Sequence, residues 1–128
     1  MGNIYKDQGD YAKAIDYYTR SLKISKEIGN KKGIALFLNN IGAIYKNQGN
    51  YDKAMDYYSK SLKIRKEMGD KQGIANSLNS IGLIYYYQGD YGKALGKSTK
   101  ALNIAQEVGV VEIIQDASNS LWETYKKL

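Results

Sequence analysis

The chain has 128 residues, a net charge of +6, and neither cysteine nor histidine. That length suits one domain with a core of its own if its parts stack, and the missing residues exclude disulfide staples, thiolate nucleophiles, the usual zinc sites and histidine acid–base chemistry. No cofactor is expected. No apolar run approaches the length of a membrane span, so membrane insertion is not expected either.

Glycines punctuate the chain, and the helices fall between them. A stub of helix precedes Gly9, and Met1 opens directly into this pattern rather than into a leader; because it replaces the isoleucine of positions 41 and 81 in the middle of a helix pattern, the chain reads as a piece of a longer protein. A second helix runs from Tyr11 towards Gly29 behind Asp10 as its cap. A third covers Lys31–Gln48, with Ile34, Phe37, Leu38, Ile41, Ile44 and Tyr45 on one face. Its opposite face carries Lys32, Leu36, Asn39, Ala43 and Lys46. Tyr51–Met68 follows Asn50 and stops at Gly69; Tyr51, Ala54, Tyr58 and Leu62 line one side, Tyr57, Ile64 and Met68 another, as a helix packed between neighbours requires. Asp70 caps Lys71–Gln88, which Gly89 ends in a left-handed turn. Asp90 opens the next helix, Gly109 closes it, and a final helix runs to the terminus. Proline is absent, so nothing interrupts these about seven helices of about eighteen residues each.

The elements repeat with a period of 40 residues. Met1-Gly2-Asn3-Ile4-Tyr5 returns as Ile41-Gly42-Ala43-Ile44-Tyr45 and as Ile81-Gly82-Leu83-Ile84-Tyr85, with a fourth start at Leu121-Trp122-Glu123-Thr124-Tyr125. The first two units agree at about 25 of their positions, far beyond chance. The expected architecture is therefore an all-α solenoid of antiparallel helix hairpins: one array over 1–128, with repeats 1–40, 41–80 and 81–120 and a terminal helix to 128. Gly42 and Gly82 lie inside helices, where each costs about 1 kcal/mol relative to alanine; close helix–helix approach opposite Ala54 and Ala94 accounts for them.

The landmarks Leu38-x-x-Ile41-Gly42-x-x-Tyr45, Gly49-Asn50-Tyr51 and Ala54-x-x-x-Tyr58, with Leu78, Ile81, Gly82, Tyr85, Gly89, Asp90, Tyr91 and Ala94 in the third unit, resemble the tetratricopeptide repeat over essentially the whole chain. Two features depart from the family's usual form: the proline after the second helix is missing, and the period is longer. The longer form is similar to the repeats of kinesin light chain and of Partner-of-Inscuteable proteins, and to bacterial arrays that precede sensor kinases and cyclases. The resemblance implies a right-handed superhelix whose first helices line a concave groove, and a peptide or protein segment bound in that groove. A soluble chain is implied, in the cytoplasm by preference, with a periplasmic sensor domain as the other setting.

On that layout Asn39, Asn79 and Asn119 form a ladder, one per repeat, able to bond successive amides of an extended peptide; shared ancestry of the repeats is the plainer explanation. Asn40, Ser80 and Ser120 form a weaker second rail. Lys46-Asn47 becomes Tyr86-Tyr87 in the third unit, an aromatic break beside Leu83 and near the groove. Peptide-binding candidates are thus Asn39, Asn79, Asn119, Lys46, Tyr86, Tyr87 and Leu83, and the basic residues Lys46, Lys126 and Lys127 suggest a partner with apolar and acidic side chains. The tyrosines that recur with the period, such as Tyr45, Tyr85, Tyr125, Tyr51 and Tyr91, read as core. A clamp for a terminal carboxylate, suggested by Asn3 and Asn40, is not expected, because Ser77 and Ser80 stand where basic residues are needed.

Asp56-Tyr57-Tyr58 becomes Gly96-Lys97-Ser98 in the third unit, and Trp122 replaces the helix glycine in the fourth, as in terminal units that close a stack. The stub at the other end would expose apolar surface and invite a homodimer, an alternative to groove binding. Binding of nucleic acid through a basic outer face is a further alternative, disfavoured because Asp16/Arg20 and Asp56/Lys60 read as ion pairs on solvated helix faces. The acids are accounted for by caps (Asp10, Asp70, Asp90) and by such pairs (Asp16, Asp56, Glu27, Glu67), so an enzyme is not expected.

Overall fold

The computed structural model describes residues 10–128, as six helices: α1 (Tyr11–Glu27), α2 (Lys31–Asn47), α3 (Tyr51–Met68), α4 (Lys71–Tyr87), α5 (Tyr91–Val108) and α6 (Val111–Lys127). The stub before Gly9, the positions Asn3 and Tyr5 and the apolar surface expected there lie outside the described residues. The helices form two compact units, one up to Ile64 and one from Arg65 onward.

Local chemistry sets the boundaries. Gly29, Gly49, Gly69, Gly89 and Gly109 all adopt positive φ between 66° and 81°, the left-handed conformation that closes a helix at least cost when no Cβ is present. The chain then needs a residue to cap the next helix. Asn30 and Asp70 accept hydrogen bonds from the backbone N–H groups of Gly33 and Gly73, at 3.1 and 3.0 Å, and Asp90 accepts one from Lys93 at 3.3 Å. Asp10 does not cap α1 as the sequence suggested. Its backbone is helical (φ −86°, ψ 0°), and its side chain bonds none of the first N–H groups. Asp70 and Asp90 instead have ψ of 86° and 73°, which swings the carboxylate back over the helix end.

The first unit packs α1 against α2. Ala14, Tyr18 and Leu22 meet Leu38, Ile41 and Ile44, and Tyr57 and Ile64 of α3 close over them. Burial raises the pKa of the Tyr18 phenol, and the neighbouring Tyr17 adds to the shift. Across α2 and α3, a Cβ on Gly42 would lie 2.9 Å from Tyr58 Cδ1 and 3.3 Å from the Ala54 carbonyl oxygen. This is the close approach that the sequence called for. Beside it the buried Ser61 hydroxyl donates to the Ala35 carbonyl at 2.7 Å.

The second unit packs α4 and α6 against α5. Ala75, Ala105 and Ile113 form one cluster of its core, with Ile104, Val110 and Ile114 around them, and Leu78, Ile81 and Ile84 are buried too. Gly82 repeats the close approach, but its virtual Cβ meets Ser98 Oγ at 2.9 Å and the Ala94 oxygen at 3.4 Å. Arg65, only 8% exposed, donates from one guanidinium nitrogen to the Gly73 carbonyl at 3.2 Å and the Ser77 hydroxyl at 2.8 Å. Burial lowers its pKa, an effect that Asp70 opposes. Its methylenes also fill the space above Gly73, where a Cβ would lie 2.8 Å from Arg65 Cδ.

On α6, Tyr125 is 57% exposed, against expectation for a tyrosine that recurs with the period, because no described element covers it. Trp122 is likewise 63% exposed, with Lys126 Nζ 5.9 Å from the centre of its ring.

Candidate functional site

The sequence singled out seven positions for binding, and the structure brings four of them together in the second unit. Leu83, Tyr86 and Tyr87 follow one another at i, i+3 and i+4 along α4, a spacing that puts them on one helix face. Asn119 faces them from α6. With Ser120 and Glu123 they line a cavity of about 400 Å³, within the usual range for ligand pockets.

The aromatic wall is held from behind. The Tyr86 ring packs edge-on against Tyr91 and against Tyr87, with centroids 5.6 Å apart in both pairs. Tyr86 is thus a half-buried, positioned ring, whereas Tyr87 remains 50% exposed. On the α6 side the Ser120 hydroxyl is committed to the Asp116 carbonyl at 3.0 Å. Glu123 pairs with Lys126 at 3.2 Å, so the charged group in the lining is locally neutralised. A cavity of this kind accepts a large side chain with an apolar body and a polar edge: Leu83 and the tyrosines supply area, Asn119 a donor and an acceptor. The acidic partner side chain suggested by the sequence finds no cation in this lining.

The three asparagines differ in their surroundings. Asn119 is exposed and lines the cavity. Asn39, in the first unit, and Asn79 are half-buried, and their Oδ1 atoms are enclosed and accept no hydrogen bond from the described residues. Either oxygen could accept a bond from a partner only if its side chain turned. Asn79 is outside the cavity lining, and Lys46 lies half-buried on α2 in the first unit.

Ser120 was named from the sequence as part of the weaker second rail, whereas Glu123 was not picked out. The signal was available in part: Glu123 is four residues beyond Asn119 on a helix, hence on its face.

The family model for the tetratricopeptide repeat matches residues 1–67 and again 33–107. Among solved structures, BtubC (BKLC) from P. vanneervenii is 26% identical with a TM-score of 0.84, over 98% of this chain and 53% of that one. The Signal Transduction ATPase with Numerous Domains (STAND) protein with a tetratricopeptide repeat sensor from Pyrococcus horikoshii is 27% identical with a TM-score of 0.87, over 97% of this chain and 19% of that one. A kinesin-light-chain-like protein of Podospora anserina with nearly identical TPR-like repeats shares the fold, with a TM-score of 0.81 at 12% identity, over 98% of this chain and 63% of that one. The chain thus spans about half the length of the first of these proteins and about a fifth of the second. No curated protein matches it.

Proposed function

This chain belongs to the tetratricopeptide repeat family, whose repeats generally mediate protein–protein interaction, and on that premise we propose that it binds a peptide segment of another protein between α4 and α6. The observation that carries the reading is the cavity where Leu83, Tyr86 and Tyr87 meet Asn119. One anchoring side chain of the partner enters it, and the exposed Asn119 amide bonds the partner's backbone beside the anchor. Because Glu123 is paired with Lys126, the anchor is a neutral, amphipathic residue such as tyrosine. Family membership supports a scaffold role rather than an enzymatic one, and no helix among the described residues is long and apolar enough to cross a membrane.

The test is a peptide-display selection on the intact chain, followed by titration of the selected peptides against Tyr86→Ala and Asn119→Ala. Each substitution is expected to weaken binding about tenfold, the effect of losing one buried anchor contact or one well-made hydrogen bond to a desolvated group. Affinities unchanged in both variants would move the peptide site away from α4 and α6.

A further inference from the structure

A second cavity, of about 350 Å³, lies on the α4–α5 side of the second unit and is lined by Tyr85, Lys93, Gly96, Lys97 and Lys100. Its origin can be read from the preceding repeat, where the same five places hold Tyr45, Lys53, Asp56, Tyr57 and Lys60. There the places are filled by a self-satisfied stack. The Tyr57 ring lies parallel to Tyr45, with centroids 5.6 Å apart and planes 18° from parallel. Lys53 Nζ sits 5.2 Å from the centre of the Tyr45 ring and Lys60 Nζ 5.4 Å from that of Tyr57. Asp56 pairs with Lys60 at 3.3 Å.

The third repeat keeps three parts of that stack and loses two. Tyr85 and Lys93 keep their mutual position, with Nζ 5.6 Å from the ring centre. Lys100 stands where Lys60 does. Lys97 replaces the stacked ring, and Gly96 replaces the acid. The first repeat has Lys13, Asp16, Tyr17 and Arg20 at the corresponding places, so the third alone departs. The exchange removes an aromatic ring and raises the local charge by two: one lysine gained for a neutral residue, one acid lost. Among the described residues, Lys93 alone of the three lysines has an acid close by, Asp90 at 3.7 Å in an exposed pair, which contributes little. Tyr58 becomes Ser98 at the same time, and the Ser98 hydroxyl is buried without a hydrogen-bond partner among the described residues. The packing of this segment is therefore not optimised for the chain's own contacts.

We propose that this cavity binds a phosphotyrosine side chain of a partner protein. The ring that the cavity lacks is a phenol, and it lacks it on the face of a tyrosine already positioned to stack. The charge it lacks is negative, since Lys97 and Lys100 both line the cavity. A phosphotyrosine supplies both: its ring takes the place against Tyr85 that Tyr57 takes against Tyr45, and its phosphate accepts charge-assisted hydrogen bonds from Lys97 and Lys100. A phosphoserine would leave the Tyr85 face empty, and an unmodified tyrosine would leave the lysines unneutralised. The proposal is independent of peptide binding between α4 and α6, which uses other residues.

Nuclear magnetic resonance titration of the intact chain tests it, with phenyl phosphate as the probe and phenol, inorganic phosphate, adenosine monophosphate and a matched pair of phosphotyrosine and tyrosine peptides as comparators. Phenyl phosphate is expected to shift the signals of Tyr85, Gly96, Lys97 and Lys100 and to bind about tenfold tighter than phenol or inorganic phosphate, since it alone makes both contacts. The phosphorylated peptide should bind and the unmodified one should not. Gly96→Asp with Lys97→Tyr restores the self-satisfied stack of the preceding repeat and should abolish binding; nothing lies within 4 Å of a Cβ at Gly96, so the acid has room. Lys100→Gln, conservative in size, should weaken binding about tenfold with an unchanged helical spectrum. Three results would overturn the proposal: inorganic phosphate binding as tightly as phenyl phosphate, adenosine monophosphate binding more tightly than it, or undiminished binding by the restored-stack variant.

Discussion

Gly42 and Gly82 occupy the same place in successive repeats, and both let a neighbouring helix come close, but what comes close differs. Above Gly42 stands the ring of Tyr58, 2% exposed and packed in the core of its unit. Above Gly82 stands Ser98, whose short side chain fills little and whose hydroxyl bonds none of the described residues. One contact is a ring pressed onto a backbone. The other is a short hydroxyl 2.9 Å from the place of a Cβ, with the Ala94 carbonyl oxygen and Lys97 Cβ both at 3.4 Å. The same glycine is thus a packing necessity in one repeat and largely a helix-weakening residue in the next.

Substitutions can break that comparison, and urea unfolding of the intact chain measures each of them. The largest effect is expected from Tyr58→Ser, which imposes the third repeat's residue on the second. Emptying a buried ring site should cost about 3 kcal/mol. Next comes Arg65→Ala, which removes the methylenes over Gly73 and leaves the Ser77 hydroxyl and the Gly73 carbonyl without their donor, for a loss of about 2 kcal/mol. The two glycines should then respond with opposite sign. Gly42→Ala drives a methyl into a ring that has no room to retreat and should cost about 1 to 2 kcal/mol. In Gly82→Ala the obstacle is a serine oxygen that can rotate away, so the alanine's helix preference should prevail and stabilise by up to about 1 kcal/mol. Ser98→Ala gives the smallest effect: removing a buried, unpaired hydroxyl should leave stability unchanged or raise it by about 0.5 kcal/mol. Equal responses at Gly42 and Gly82 would mean that the two contacts are equivalent despite Tyr58 and Ser98.

Much of this was legible in the sequence, because it depends on neighbours in the chain. The left-handed glycines, the Asp70 and Asp90 caps and the Asp16–Arg20 pair, observed at 2.8 Å, follow from positions one to four residues apart. The need for close approach at Gly42 and Gly82 was legible too, since glycine inside a helix demands a reason. What crossed the approach was not, because it lies on another helix. Arg65 escaped for the same cause. Beside Lys63, Lys66 and Glu67 it reads as one more charge on a solvated face, and only Ser77, standing where the first repeat has Phe37, hinted at a space for a long side chain. At the candidate site, the aromatic break at Tyr86 and Tyr87 was visible as a departure from the repeat. The dissimilar settings of Asn39, Asn79 and Asn119 were not, because equal spacing in sequence says nothing about which amide oxygen is enclosed.

The bond between Arg65 and Ser77 also bears on how such a chain can be shuffled. Both residues lie within 41–80, so a repeat duplicated or exchanged on those borders carries the guanidinium and its acceptor together. Their counterparts are Ser25 with Phe37 and Ala105 with Ala117, pairs of different size and polarity. A crossover that falls in the turn at Gly69 looks harmless, since every repeat has a glycine there. Yet it would join Arg65 to a helix bearing phenylalanine or alanine in place of Ser77, and strand a buried cation. A recombination breakpoint compatible with folding therefore avoids the turn at Gly69, although the glycine punctuation is the same at every turn.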